Sequence, residues 1–128
     1  MKKDWVAVWL CMCFAAVSVP VFAHHGTVTT YDVSKTVVLK GTVTSFKFGN
    51  PHIEILLDVK DETGKVVSWN VEGPGVYTFS KAGWTRNALK PGDQITATIN
   101  PSRTGNAIGV AIKLVTGAGK ELVIEAGK

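Results

Sequence analysis

Apolar and polar residues alternate along several short segments of this chain, and turn-forming residues separate the segments. Ile53, Ile55, Leu57 and Val59 recur at every second position, which places them on one face of a β-strand. Similar apolar patterns cover 37–48, 66–72, 95–99, 108–114 and 122–124. Gly, Pro, Asn and Asp residues lie between them, as at strand-connecting turns. The sequence therefore predicts an all-β domain of five or six strands.

The order of the predicted elements narrows the fold. Three strands come first, a short helix over 75–82 follows, and two or three further strands complete the chain. This is the order of the oligonucleotide/oligosaccharide-binding (OB) fold, a small Greek-key barrel. The first strand changes the parity of its apolar residues after Val43, so we expect a bulge near Gly41 or Ser45. A sandwich and an open meander are the alternative architectures.

The N-terminal segment has the pattern of a cleaved secretory signal. Met1, Lys2 and Lys3 form a short basic start, and an apolar run of 15 residues covers 5–19. A membrane span needs roughly 20 residues, whereas Pro20 and the small residue Ala23 are typical of a signal cleavage region. We therefore predict a signal peptide over 1–23, an N-terminal arm over 24–36, a barrel domain over 37–128 and a periplasmic location.

Removal of the signal would take every sulfur atom out of the protein. Both cysteines and both methionines lie within 1–23. A mature chain beginning at His24 would have no disulfide, no catalytic cysteine, no zinc-thiolate site and no thioether site for Cu(I). It would hold 12 basic and 9 acidic side chains, scattered along the sequence. This mild basicity does not indicate a nucleic-acid partner, and we expect no membrane association after signal cleavage.

Several short motifs occur in a fixed order along the chain. They are His24-His25, Tyr31-Asp32, Gly41-Thr42-Val43, Asn50-Pro51-His52, Trp69 with Glu72, Gly83-Trp84-Thr85-Arg86 and Lys90-Pro91-Gly92-Asp93. With these motifs the chain resembles a family of small exported bacterial proteins of unknown function. The resemblance runs across residues 24–128 and implies no particular activity.

The three histidines are the candidate metal ligands. If cleavage follows Ala23, His24 becomes the N-terminal residue, and its amine and ring Nδ1 chelate a metal together. His52, after a rigid Asn-Pro turn, is the natural second imidazole, and Glu54 on the same strand face could orient its ring. Such a T-shaped nitrogen set, a histidine brace, favours Cu(II). His25 could be a fourth ligand, a substitute ligand or a spectator.

Other functions remain open on the sequence alone. The paired histidines could form no specific metal site, and the barrel could instead bind a small organic ligand or a partner protein. Trp84, Arg86 and Glu54 are the candidate contacts for such a ligand, whereas the parity of Trp69 predicts core packing. Glu54 and Glu72 could form an acid/base pair, but no nucleophile or cofactor loop accompanies them. Catalysis, including copper-dependent oxidation, is therefore the least favoured class.

Overall fold

A computed structural model of the protein describes residues 27–124. Two short helices and six strands make up this part of the chain. They are α1 (Thr27–Thr30), β1 (Val37–Lys47), β2 (Glu54–Lys60), β3 (Val66–Glu72), α2 (Val76–Lys81), β4 (Gln94–Pro101), β5 (Ile108–Thr116) and β6 (Glu121–Val123).

The strands form a closed barrel. Their order is β3-β2-β1-β4-β5, and all neighbours in that order pair antiparallel. A parallel pairing of β3 with β5 closes the barrel, with Asn70 opposite Ile108 and Glu72 opposite Val110. β6 extends the sheet beside β5. The predicted all-β Greek-key barrel is confirmed, and the sandwich and the open meander are wrong.

Alternation along β2 and the residue before it supplies much of the core. Ile53, Ile55 and Leu57 are fully buried, whereas the residues between them are half-buried or exposed. Each such aliphatic side chain contributes about 1.5–3 kcal/mol relative to an exposed position. The other buried core residues are Leu39, Val43, Val71, Phe79, Trp84, Leu89, Ile95, Ala97, Ile99, Ala111, Leu114 and Leu122.

A β-bulge at Thr44 confirms the break that we expected in the first strand. Val43 pairs with Leu57 and Ser45 pairs with Leu56, so Thr44 is the extra residue. The bulge changes which residues face inward. Phe46 thereby packs against the core beside Phe79, with ring centroids 5.8 Å apart.

A second bulge in β5 overturns part of the predicted pattern. We expected Ile108, Val110, Ile112 and Leu114 to face inward together. Instead Thr98 pairs with Lys113 and Ile99 with Ala111. Ile112 is therefore the extra residue, and Ala111 is buried in its place. Only Leu114 of the expected four is fully buried.

Helix α2 covers one end of the barrel. The predicted helix over 75–82 agrees with the observed one to within one residue at each end. Within this helix the Phe79 side chain is buried in the core, whereas the Tyr77 side chain is 77% exposed. Within residues 27–124, neither helix combines the length and the apolar character that a membrane crossing requires.

Because β1 packs closely on β2 at Gly41, a methyl group added at this position should lower the stability of the fold. A Cβ atom at Gly41 would meet the Asp58 carbonyl oxygen and lie 2.9 Å from Val59 Cγ2. We expect Gly41→Ala to lower the free energy of unfolding by about 1–3 kcal/mol because backbone atoms must shift. Urea denaturation measures this change.

Gly49→Ala is the matched control. Its added Cβ would have no neighbour closer than 3.9 Å, so its effect should stay within about 1 kcal/mol. Equal stability losses in the two variants would contradict this account of Gly41.

Candidate metal centre

The segment from Thr30 to Lys35 is fixed against the loop between β4 and β5. The Arg103 amide donates to the Thr30 carbonyl at 3.1 Å, and the Asp32 amide donates to the Pro101 carbonyl at 2.8 Å. Tyr31 forms an isolated antiparallel bridge with Ser102. These hydrogen bonds therefore attach the predicted arm to the barrel from Thr30 onward.

A buried amide holds the far end of the same segment. Asn100 is 8% exposed, and its Nδ2 donates to the Lys35 carbonyl at 2.7 Å. Asp32 closes a local turn by accepting from the Ser34 hydroxyl at 2.6 Å. Hydrogen bonding from that hydroxyl holds the pKa of Asp32 below its usual value. These hydrogen bonds fix the backbone between Asp32 and Lys35, just before β1 begins.

Tyr31 connects this segment to the end of β3. Its side chain is 5% exposed, and its hydroxyl donates to Glu72 Oε2 at 2.6 Å. Burial, followed by the hydrogen bond to the Glu72 carboxylate, raises the pKa of Tyr31 well above its usual value. We call this hydrogen bond the Tyr31–Glu72 latch. Sequence reasoning did not identify this role of Tyr31.

His52 contacts the backbone of the residue that follows Glu72. Its ring Nδ1 is 3.2 Å from the carbonyl oxygen of Gly73, the residue after Glu72. A carbonyl oxygen only accepts hydrogen bonds, so the neutral ring carries its proton on Nδ1 and its lone pair on Nε2. Among residues 27–124 no group hydrogen-bonds to Nε2, and the side chain is exposed. Metal-binding histidines are commonly oriented in this way by a second acceptor.

The turn before His52 is fixed to the start of α2. Asn50 Oδ1 accepts a hydrogen bond from the Val76 amide at 3.0 Å. The Ile53 amide donates to the Pro74 carbonyl at 3.0 Å, and the Asn50–Pro51 peptide bond is cis. The two hydrogen bonds therefore hold the chain on both sides of His52.

Glu54 does not orient His52, so that prediction is wrong. Glu54 Oε1 accepts from Lys47 Nζ at 2.9 Å, across the β1–β2 pair. The Gly73 carbonyl takes the orienting role instead. Glu54 and Glu72 do occupy directly opposite positions on adjacent strands. Glu54 is paired with the Lys47 ammonium, and Glu72 accepts a hydrogen bond from the neutral Tyr31 hydroxyl. Both interactions lessen the repulsion expected between opposed like charges.

Trp84 is a core residue, so its predicted role as a surface contact is wrong. It is 1% exposed, and its ring centroid lies 5.2 Å from that of Phe79. Gly83 takes a positive φ of 81°, the Trp84 amide donates to the Phe79 carbonyl, and the Gly83 amide donates to the Ser80 carbonyl. This is a Schellman motif, which brings the residue after glycine onto the helix. In the sequence, a glycine followed by an apolar residue at the helix end is the pattern that could have predicted the burial of Trp84.

Arg86 is exposed and contacts an aromatic ring. Its Cζ lies 5.8 Å from the centroid of Phe48, a cation–π distance. Because Trp84 is buried, Trp84 and Arg86 do not together provide the surface contacts that the sequence predicted for an organic ligand.

The predicted signal peptide over 1–23 and the candidate ligands His24 and His25 lie outside the described residues. Within 27–124, no three His, Cys, Asp or Glu side chains converge as metal ligands would. His52 is thus the one predicted ligand that the structure describes, and a complete site that uses it needs further donors from outside this range.

The fold and these contacts define a small closed β-barrel with an N-terminal segment fixed over its β3–β5 seam and an exposed, oriented histidine nearby. The chain belongs to a family of unknown function, DUF6152, whose profile matches residues 12–111. The resemblance noted from the sequence is therefore confirmed at the level of the family. A comparison with curated proteins found no match.

The raised pKa of Tyr31 predicts how stability depends on alkaline pH. The fold favours the protonated phenol, so its contribution is present below the unfolded pKa of about 10 and is lost as pH rises above that value. Tyr31→Phe should therefore be less stable than the parent at pH 9, and the difference should shrink at pH 11. Urea denaturation at both pH values measures it.

Tyr77→Phe is the matched control because that side chain is largely exposed. Its free energy of unfolding at pH 9 should stay within about 0.5 kcal/mol of the parent value. A stability difference between Tyr31→Phe and the parent that does not change with pH would contradict the assignment.

Proposed function

We propose that this protein binds Cu(II) in the periplasm through a histidine brace formed by His24 and His52, for copper storage, delivery or resistance. The proposal takes the mature chain to begin at His24, whose amine and Nδ1 chelate the metal. The observation that supports it most is the orientation of His52. Its Nδ1 lies 3.2 Å from the Gly73 carbonyl oxygen, which leaves Nε2 as the nitrogen for a metal, and the residue as a whole is exposed.

The docking of the arm supports the reach that the proposal needs. Tyr31 is bonded to Glu72, and the next residue, Gly73, orients His52. The proposal requires His24, seven positions before Tyr31 in the sequence, to reach His52 from this anchor.

The donor set of the proposed brace favours copper. Its ligands are imidazole and amine nitrogens, and such a set favours Cu(II) among the divalent metals. Affinity should fall below neutral pH because these nitrogens must lose their protons to bind.

The alternative function has lost its principal contact. A module that binds an organic ligand or a partner protein was expected to use Trp84 as an exposed platform. Trp84 packs inside the barrel instead. No other observation favours that function, and we do not propose it.

Removal of the second imidazole tests the copper site. We expect His52→Ala to weaken Cu(II) binding by at least about 100-fold, because loss even of a residue that orients a ligand costs 10–100-fold. Competition with a chromophoric chelator measures the affinity of protein processed to begin at His24. An extra residue before His24 should weaken binding to a similar extent.

Glu54→Gln is the matched control. Its carboxylate bonds to Lys47 rather than to His52, so its affinity should stay within about threefold of the parent value. If His52→Ala binds Cu(II) as tightly as the parent, the brace is wrong.

A further inference from the structure

The charges of the barrel are unevenly divided along the chain. Residues 27–72 hold five basic and six acidic side chains, whereas residues 73–120 hold six basic side chains and one acidic side chain, Asp93. The Asp93 carboxylate accepts a hydrogen bond from the Lys90 amide within its own turn. The second part of the barrel therefore carries an excess of positive charge, which is the kind of asymmetry that indicates an anionic partner.

Three of these cations lie around the C-terminal end of α2. Lys81 is in the last turn of the helix, and Arg86 lies in the loop that follows. Lys120, in the turn between β5 and β6, donates from Nζ to the Gly83 carbonyl at 2.6 Å. All three residues are exposed, and no carboxylate within residues 27–124 forms an ion pair with them. Their charges are therefore available to an external anion.

Aromatic rings connect two of these cations across the same end of the barrel. Lys120 Nζ lies 5.2 Å from the ring centroid of Trp84, and Arg86 Cζ lies 5.8 Å from that of Phe48. Both rings contact the buried Phe79, at centroid distances of 5.2 and 6.1 Å. Lys120 and Arg86 thus lie at the edges of one aromatic cluster, each at a cation–π distance.

Tyr77 adds an exposed aromatic side chain to the third cation. It is 77% exposed, and its ring centroid lies 5.9 Å from Lys81 Nζ. A tyrosine has an apolar ring and a polar hydroxyl, and such side chains are enriched at the headgroup level of membranes. We call the set of Tyr77, Lys81, Arg86 and Lys120 the α2 surface.

We propose that the α2 surface binds the headgroups of an anionic phospholipid membrane. The negative potential of such a membrane attracts basic side chains, and guanidinium and ammonium groups both bind phosphate oxygens. From the sequence we expected no membrane association, because the charges are scattered along the chain. Folding brings three of them together. This inference is independent of the proposed copper site.

An acidic partner protein matches this surface less well. Protein interfaces usually depend on aromatic or apolar anchors that become buried. Apart from Tyr77, the exposed large hydrophobic residues within 27–124 lie outside α2 and the loop after it. They are Val33, Val38, Leu56, Val66 and Val123. A layer of headgroup phosphates needs no such anchors, because the attraction is electrostatic.

Vesicle co-sedimentation tests the α2 surface. The protein is processed to begin at His24, so that the apolar run over 5–19 cannot bind lipid itself. The parent should bind vesicles of phosphatidylglycerol and phosphatidylcholine more tightly than vesicles of phosphatidylcholine alone. Each basic residue near such a surface contributes about fivefold in affinity, so Lys81→Gln/Arg86→Gln should bind about 25-fold more weakly. Tyr77→Ala, which leaves every charge in place, should also bind more weakly than the parent.

Lys60→Gln/Lys65→Gln is the matched control. It removes the same charge from two exposed residues at the β2–β3 hairpin, and the seven residues of β3 separate that hairpin from α2. This strand is about 20 Å long, which exceeds the Debye length of about 10 Å at about 0.1 M salt. At that salt concentration the control should bind within about twofold of the parent.

The outcomes identify both the surface and its partner. Equal losses in the two double variants would overturn the proposal, and so would equal binding of the parent to both kinds of vesicle. Binding of the parent to polyglutamate but not to the anionic vesicles would make an acidic polypeptide the partner and would also overturn it. Thermal unfolding checks that each variant is folded, and Tyr77→Ala provides the test should the double variant not fold.

Discussion

The parallel pairing of β3 with β5 is the constraint on which the rest of this structure depends. It closes the barrel by placing Glu72 opposite Val110. The loop that leads into β5 is thereby brought beside the end of β3. Because the N-terminal segment docks on that loop, Tyr31 reaches Glu72. Closure of the barrel and the contact between Tyr31 and Glu72 are therefore consequences of the same pairing.

Most strands could be predicted because burial on one face imposes a period of two. This holds for β2 and β3, and for β1 once its change of parity indicated a bulge. In β5 the sequence alternates regularly, so nothing in it showed the extra residue Ile112. The burial of Trp84 depends on the left-handed Gly83 and on contact with Phe79. The alternation of apolar residues along a strand gives no information about packing at the end of a helix.

The site could be predicted only as a set of residue types. The sequence indicated His52 as a ligand, and the structure describes its ring as exposed and oriented. The orienting acceptor is a backbone carbonyl 21 residues away, which no local pattern could reveal. Glu54 shares the face of His52 but pairs with Lys47 across the strand. Tyr31 gained its role from a contact 41 residues distant.

The tautomer of His52 determines which ring nitrogen can bind a metal. Long-range proton–nitrogen correlation spectra of the histidine rings in the metal-free protein measure it, with His52→Gln assigning the signal. We expect a proton on Nδ1, and we expect the Nε2 signal to be lost on addition of one equivalent of Cu(II). A ring protonated on Nε2, or one whose signals are unchanged by Cu(II), would contradict the account.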